Sequence, residues 1–276
     1  MSSRRDEMLK EMGLAPVWRL REPDSRSSFD ELRTNGQHER AIAGERLPVR
    51  PERNAAESKD EPAAVAAQAS AVPAPGDDRR ATIMRMDWPA LKEAVAQCRA
   101  CGLHARRTNT VFGVGDENAD WMFIGEAPGA DEDLKGEPFV GQAGRLLDSM
   151  LAAIDLKRGQ NVYILNILKC RPPGNRNPEP EEALKCDPFL QRQIDLVRPK
   201  LIVALGRVAV VNLLGRDTSI ASLRGKVLDY KGIPLIVTYH PAYLLRSLTE
   251  KAKAWEDLCF AVRTMQALQS GAAAST

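Results

Sequence analysis

Four apolar runs of strand length alternate with segments of helical periodicity between residues 120 and 268 of this 276-residue chain. Runs with almost no polar residues indicate strands buried on both faces, and such strands are typical of parallel sheets. We therefore predict an α/β fold, a three-layer αβα sandwich with a central, mostly parallel four-stranded sheet. The predicted strands span 120–125, 161–166, 200–206 and 232–240, and the predicted helices span 143–154, 179–197, 208–214 and 250–268.

The composition changes sharply near residue 81. Residues 1–80 contain few large apolar side chains, and 55–76 is rich in alanine and proline. Such a segment cannot bury enough surface to offset the entropy of ordering. We predict a disordered tail over 1–80 and a folded domain over 81–270.

Within the predicted tail, the segment from Met8 to Leu20 concentrates apolar side chains beside a glycine and a proline. This composition suits a short motif that folds onto the surface of a protein partner. The alternative is a segment that packs back onto its own domain or has no partner.

The chain has no N-terminal apolar run of signal-peptide type and no stretch long enough to span a bilayer. We therefore expect a cytoplasmic protein without membrane contact. The net charge of +2 permits nucleic acid as a partner but does not argue for it, because phosphate binding depends on where the charge lies.

Four of the five cysteines, Cys98, Cys101, Cys170 and Cys186, form a Cys-x2-Cys pair followed by two single residues. Disulfides seldom persist in the cytosol, so four thiolates here suggest either Zn²⁺ or a [4Fe–4S] cluster. Structural zinc usually draws on two close pairs, whereas fifteen residues separate the last two cysteines. The spacing favours the iron–sulfur cluster, with zinc and metal-free buried thiols as alternatives.

The carboxyl ends of the predicted strands carry polar groups. They are the loop 125–133 with its carboxylates, Asn166, Gly206 and the loop that begins at His240. Ligands of open parallel sheets bind at this edge. Each group alone could be an ordinary loop residue, but their convergence predicts a binding or catalytic site. Phe139, in a turn held by glycine and proline, would suit stacking against a planar base.

Five ordered motifs together resemble the family 4 uracil-DNA glycosylases, over about residues 90–268. They are Cys-x2-Cys at 98–101, Gly-Glu-Ala-Pro-Gly at 125–129, Gly-Glu-Pro-Phe-Val-Gly-Gln-Ala-Gly at 136–144, Asn166 with Lys-Cys-Arg-Pro-Pro at 169–173, and His-Pro-Ala-Tyr-Leu-Leu-Arg at 240–246. The resemblance implies a [4Fe–4S] cluster on the four cysteines. It also implies base excision repair, in which a monomer removes uracil from single- or double-stranded DNA and leaves an abasic site.

The resemblance further implies roles for single residues, with Gly125 and Ala127 as part of the substrate-binding motif. Uracil must leave the base stack before its glycosidic bond is accessible. Leu244 would wedge into the vacated space, as apolar side chains do when they unstack DNA. The extruded base would stack on Phe139, Asn166 would read its amide edge, and His240 would stabilise negative charge on O2.

Two roles remain open, because the better-known family 1 enzymes have Gly-Gln-Asp-Pro-Tyr at the first motif. The water-positioning aspartate of that motif corresponds to Ala127 here, so the preceding Glu126 is the candidate for orienting water. The tyrosine that excludes the thymine methyl group corresponds to Gly129. Glu132, on the same loop, is the candidate that replaces it.

Two other classes of function compete with the enzyme. One is a catalytically inactive DNA-binding accessory module of a polymerase or repair complex, and the other is an iron–sulfur electron carrier. The intact set of Glu126, Phe139, Asn166 and His240 argues against the first, and an electron carrier would have no need for the polar groups at the strand ends.

Overall fold

The computed structural model describes residues 75–271, with side chains from residue 78 onward. The segment from Met8 to Leu20 and most of the predicted tail lie outside the described residues. Within them the strands are β1 Val114–Gly115, β2 Trp121–Gly125, β3 Val162–Asn166, β4 Leu201–Leu205, β5 Leu228–Tyr230 and β6 Ile233–Thr238. The α-helices are α1 Pro75–Ile83, α2 Trp88–Ala96, α3 Ala130–Lys135, α4 Gln142–Ala152, α5 Pro180–Val197, α6 Arg207–Leu214, α7 Ile220–Leu223, α8 Pro241–Arg246 and α9 Lys251–Gln269.

The strands form one sheet in the order β1-β3-β2-β4-β6-β5. The four central strands run parallel to their neighbours, which confirms the predicted α/β fold with a mostly parallel sheet. The predicted number of four strands was wrong, because six are present in residues 75–271. The two additional strands, β1 and β5, are short, antiparallel and at the edges, where no long apolar run is needed.

Both faces of the sheet are covered by helices. Met122 and Ile124 of β2 belong to an apolar cluster with side chains of α5 and α6. Trp121 and Phe123 of the same strand belong to a second cluster with side chains of α4 and α9. Since successive strand residues point to opposite faces, the two clusters form the two helix–sheet interfaces of an αβα sandwich.

Helix α1 begins at Pro75, within the stretch predicted to be disordered. Arg80 forms an ion pair of 2.7 Å with Asp187 of α5. The Arg79 guanidinium donates a hydrogen bond to the carbonyl oxygen of Lys185 and lies 5.0 Å from the centre of the Phe189 ring. These contacts attach residues 79–80 to the domain. None of the helices in residues 75–271 is long and apolar enough to cross a membrane.

Candidate active site

The carboxyl ends of the four parallel strands meet at a cleft of about 700 Å³. The cleft is lined by groups from each predicted rim segment. They include Glu126, Ala127, Gly129, Glu132, Phe139, Asn166, Gly206 and His240. The structure therefore brings together, at one edge of the sheet, groups that are up to about 115 positions apart in the sequence.

Gly125 is packed tightly against two residues of the cleft. It ends β2 and pairs in register with Asn166, which ends β3. A Cβ atom at Gly125 would lie 2.4 Å from Asn166 Oδ1 and 2.5 Å from Phe139 Cζ. Only a residue without a side chain leaves room for both groups, so Gly125 contributes to the site by its small size.

Asn166 provides an unsatisfied hydrogen-bond acceptor. The residue is only 2% exposed, and its Oδ1 atom has no hydrogen-bond partner in the described part of the chain. Its backbone carbonyl oxygen accepts a hydrogen bond of 2.9 Å from the buried Lys169 ammonium, which fixes the end of β3. Because a buried acceptor without a donor is costly, the arrangement suits a ligand that carries an N–H group.

His240 caps the first turn of α8. Its Nδ1 atom lies 3.1 Å from the backbone N–H of Ala242 and accepts that hydrogen bond. An accepting Nδ1 carries no proton, so the neutral ring holds its proton on Nε2. Burial, reinforced by the nearby Arg246, lowers the pKa of His240 to about 4. The imidazole is therefore a neutral hydrogen-bond donor at physiological pH, and its ring lies 5.5 Å from that of Phe139.

The two glutamates of the cleft differ in their surroundings. Burial raises the pKa of the Glu126 carboxyl above its usual value. The Glu132 carboxylate instead accepts hydrogen bonds from the backbone N–H groups of Gly129, Val140 and Gly141, at 2.9–3.0 Å. Glu132 thus connects the loop after β2 to the turn that carries Phe139.

Leu244, predicted to insert into DNA, lies in the core. It is 0% exposed and packs in an apolar cluster with Leu146, Met150 and Leu258. Its insertion into DNA stays a prediction, which requires the side chain to leave this cluster. On the same helix, Tyr243 lines the cleft and is 39% exposed.

Several cleft residues were missed by the sequence analysis. Arg207 begins α6, Arg246 ends α8, and the rings of Tyr239 and Tyr243 stack with 5.3 Å between their centres. The last three belong to or adjoin the motif at 240–246, which was the available signal. Arg207 follows the predicted strand-end glycine Gly206 but carried no motif of its own.

The four predicted metal ligands line one small cavity. Cys98 and Cys101 come from the segment after α2, Cys170 follows β3, and Cys186 lies in α5; none is in a disulfide. Within residues 75–271, no three histidine, cysteine, aspartate or glutamate side chains are arranged to hold a single metal ion.

Cations and buried thiols share this cavity. Burial raises the pKa of Cys186 to about 12, and it also raises that of Cys170. Arg107 donates a hydrogen bond of 3.2 Å to Cys170 Sγ and another of 2.8 Å to the carbonyl oxygen of Cys98. Lys169 also lines the cavity, where burial lowers the pKa of its amine to about 7. The Arg107 guanidinium next to the convergent thiols suits a centre that binds thiolates.

Comparison with known proteins agrees with this geometry. The family model described as "Uracil DNA glycosylase superfamily" matches residues 112–259. The chain is similar to proteins described as "Type-4 uracil-DNA glycosylase" from several organisms. The Archaeoglobus fulgidus protein is 52% identical over 159 residues, which are 55% of this chain and 79% of that relative. The Thermotoga maritima protein is 44% identical over 165 residues (59% and 85%), and the Sulfurisphaera tokodaii protein is 49% identical over 164 residues (56% and 74%).

Proposed function

This chain belongs to the uracil DNA glycosylase superfamily, and we propose that it removes uracil from DNA by hydrolysing the N-glycosidic bond, which leaves an abasic site for base excision repair. The observation that carries the proposal is the buried, unpartnered Oδ1 of Asn166 at the floor of the cleft. This acceptor requires an N–H donor, and the Phe139 ring beside it offers a surface for a planar base.

Asn166 selects uracil through its amide group. Its Oδ1 accepts from N3–H of uracil, and its Nδ2 donates to the O4 carbonyl. Cytosine presents an acceptor at N3 and a donor at C4, so the fixed amide leaves both groups unpaired. Rejection of a polar mismatch of this kind reaches about 10⁴-fold.

His240 stabilises the leaving group. As the C1′–N1 bond breaks, its electron pair moves onto uracil and negative charge develops at O2, while the sugar gains oxocarbenium character. The neutral ring donates from Nε2 to that oxygen, because Nδ1 is occupied by the Ala242 N–H. A preorganised donor of this kind contributes about 10²–10³ in rate.

Glu126 orients the attacking water. Its carboxyl group lines the cleft and its backbone carbonyl accepts a hydrogen bond from Leu168 N–H, which fixes the loop after β2 next to β3. Water adds to C1′ of the sugar, and its proton passes to the carboxylate or to solvent. A carboxylate with a pKa raised by burial is better suited to accept a proton than an ordinary exposed one.

Glu132 excludes thymine by keeping the cleft narrow next to the uracil C5 position. The three backbone hydrogen bonds that it accepts hold it in place and give it a second, structural role. Release of thymine by Glu132→Ala would support this role, provided that the variant's activity on uracil is only modestly lower than that of wild type. A variant that releases no thymine would argue against it.

Cys98, Cys101, Cys170 and Cys186 hold a [4Fe–4S] cluster in our proposal. A single zinc ion binds all its ligands at about 2.3 Å, whereas a cubane cluster gives each thiolate its own iron and allows the sulfurs to lie further apart. The four thiols line one cavity, and the lack of a second close cysteine pair favours the cluster over zinc. Its part in this protein is structural, joining α5 to the segment after α2 and to the loop after β3.

DNA contacts the rim of the cleft. Arg207 and Arg246 line the cleft and can meet phosphate groups, which dominate affinity for DNA. In place of Leu244, Tyr243 contacts the bases that flank the extruded nucleotide, because its ring is exposed next to the cleft.

We also expect a cytoplasmic monomer and a protein partner for the segment from Met8 to Leu20. Loss of a copurifying partner on deletion of residues 1–20 would test the last of these.

Strand cleavage at a single uracil in a labelled oligonucleotide, developed with alkali, tests the function. We expect cleavage by wild type that falls by at least about 10²-fold in both Asn166→Ala and His240→Ala. No cleavage by wild-type protein with its iron bound would contradict the proposal and favour the DNA-binding accessory module. Equal cleavage by wild type and both variants would support the proposed reaction but contradict the roles assigned to Asn166 and His240.

A further inference from the structure

The backbone of Phe139 is in an unfavourable conformation. Its φ angle is +55°, in the left-handed region that bulky residues seldom adopt. The residue is nonetheless only 5% exposed. Its ring is confined between Gly125 on one side and the tilted ring of His240 on the other. Such a conformation persists only where neighbouring groups impose it.

Two side chains hold the turn that carries Phe139. Glu132, in the cleft, accepts hydrogen bonds from the N–H groups of Val140 and Gly141. Arg158 donates from Nη1 to the carbonyl oxygen of Pro138 at 2.9 Å and from Nη2 to that of Phe139 at 2.8 Å. The N–H groups of the turn are therefore bound by the Glu132 carboxylate in the cleft, and its carbonyl groups are bound by the Arg158 guanidinium.

Arg158 is itself held in place. It lies in a tight turn in which Lys157 pairs with Gln160, and its Nε donates to Asp148 Oδ1 at 3.0 Å. Its side chain is 22% exposed, and it is not among the residues that line the cleft. Since every nitrogen of the guanidinium already contacts a carbonyl or Asp148, little capacity remains for binding a DNA phosphate.

We propose that Arg158 is a positioning residue that holds the Phe139 ring in the orientation needed to stack on the extruded base. The inference rests on the proposed function and deepens it, because it assigns the preorganisation of the stacking surface to a residue that never contacts the substrate. The planar guanidinium is suited to this task, as its parallel N–H groups can bind two successive carbonyl oxygens.

A double-mutant cycle tests the coupling between Arg158 and Phe139. We expect Arg158→Gln to raise KM for uracil-containing DNA about tenfold with kcat close to wild type, because stacking on the base contributes similarly to the ground state and the transition state. Phe139→Ala should lose roughly 10- to 100-fold in kcat/KM. The double variant should match Phe139→Ala alone. Losses that multiply in the double variant would overturn the proposal.

Two further variants separate position from charge. Arg158→Lys keeps the positive charge but not the two parallel N–H groups, so we expect it to resemble Arg158→Gln; recovery of wild-type KM would contradict the positioning role. Lys157→Ala is the matched control, since it removes a positive charge from the same turn. We expect its KM to remain within about twofold of wild type, and a rise as large as that of Arg158→Gln would also contradict the proposal.

Hydrogen–deuterium exchange gives a readout that does not depend on turnover. The amides of 139–141 should exchange faster in full-length Arg158→Gln than in wild type or Lys157→Ala, with unchanged exchange in the central strands. Unchanged exchange at 139–141 would refute the positioning role even if the enzyme is active. If exchange at 139–141 is faster in Arg158→Gln but the wild-type protein releases no uracil, the positioning contact is supported and the proposed function is contradicted.

Discussion

The cleft and the cysteine cavity are built in opposite ways from the same chain. The cleft gathers groups at the ends of adjacent strands, where hydrogen bonds of the sheet fix their register, as between Gly125 and Asn166. The cysteines come from three separate segments, and part of their arrangement depends on side-chain contacts such as those of Arg107 with Cys170 and with the carbonyl of Cys98. The geometry of the cleft is thus largely a property of the fold. The cavity depends in addition on side-chain hydrogen bonds and, in our proposal, on its cluster.

The largest effect that separates the two sites is expected for Cys186→Ala. Removal of one of four ligands should abolish stable iron binding and lower the unfolding temperature by about 10 °C, because several segments lose their common attachment. Iron content and thermal unfolding measure this. Cys259→Ala is the control, since Cys259 lies in α9 and does not line the cavity. Normal iron content in Cys186→Ala would remove this residue from the ligand set.

A second test uses one glycine from each site. Gly125→Ala should lower kcat/KM by about 10³-fold, because the new Cβ displaces both Asn166 and Phe139, with a stability loss of about 1–3 kcal/mol. Gly102→Ala, next to Cys101, should have little effect, since a Cβ there meets no atom within 4 Å. Steady-state kinetics on a uracil oligonucleotide check both. Equal losses in the two variants would mean that the tight packing in the cleft is not what limits catalysis.

A third test concerns pH. If Glu126 acts as a carboxylate, activity is present above its raised pKa and is lost as pH falls through that value. His240 contributes nothing to this loss until about pH 4, because it remains neutral above its own lowered pKa. We expect Glu126→Gln to lower kcat by about 10²-fold. The variant should also lose the inflection of the pH–rate profile that lies above the pKa of His240 and reflects protonation of Glu126. An unchanged profile in this variant would exclude Glu126 from the water-positioning role.

The smallest expected effect distinguishes two neighbours on α8. Tyr243→Ala should lower activity on duplex DNA about tenfold and activity on single-stranded DNA much less, because only the duplex must be unstacked. Leu244→Ala should instead cost about 2–5 kcal/mol of stability, since it empties a core position. Activity on both DNA forms and thermal unfolding measure the two effects. The reverse pattern would return the wedge to Leu244.

The sequence predicted those parts of the fold and the site that depend on long periodic patterns. The four central strands were found because their apolar runs are continuous, and the cleft followed because the carboxyl ends of parallel strands share one edge. The short strands β1 and β5 were missed, since two or three residues at a sheet edge carry no pattern. Helix α1 was not predicted, because its sequence is polar and its contacts with α5 are tertiary.

Side-chain direction was also not predictable from the sequence. Leu244 was placed in a loop that begins at His240, whereas it lies in α8 with its side chain in the core. The contacts of Arg158 were also invisible, since its acceptors are backbone carbonyls and leave no trace in residue types. These features depend on tertiary packing, which a single sequence does not encode in any local pattern.

The segment after Cys170 connects the cysteine cavity to the cleft. Cys170 lines the cysteine cavity, and Pro172, Asn175, Arg176 and Asn177 a few positions later line the cleft. One short stretch therefore joins the two sites, so a backbone shift at Cys170 is transmitted within a few residues to one wall of the cleft.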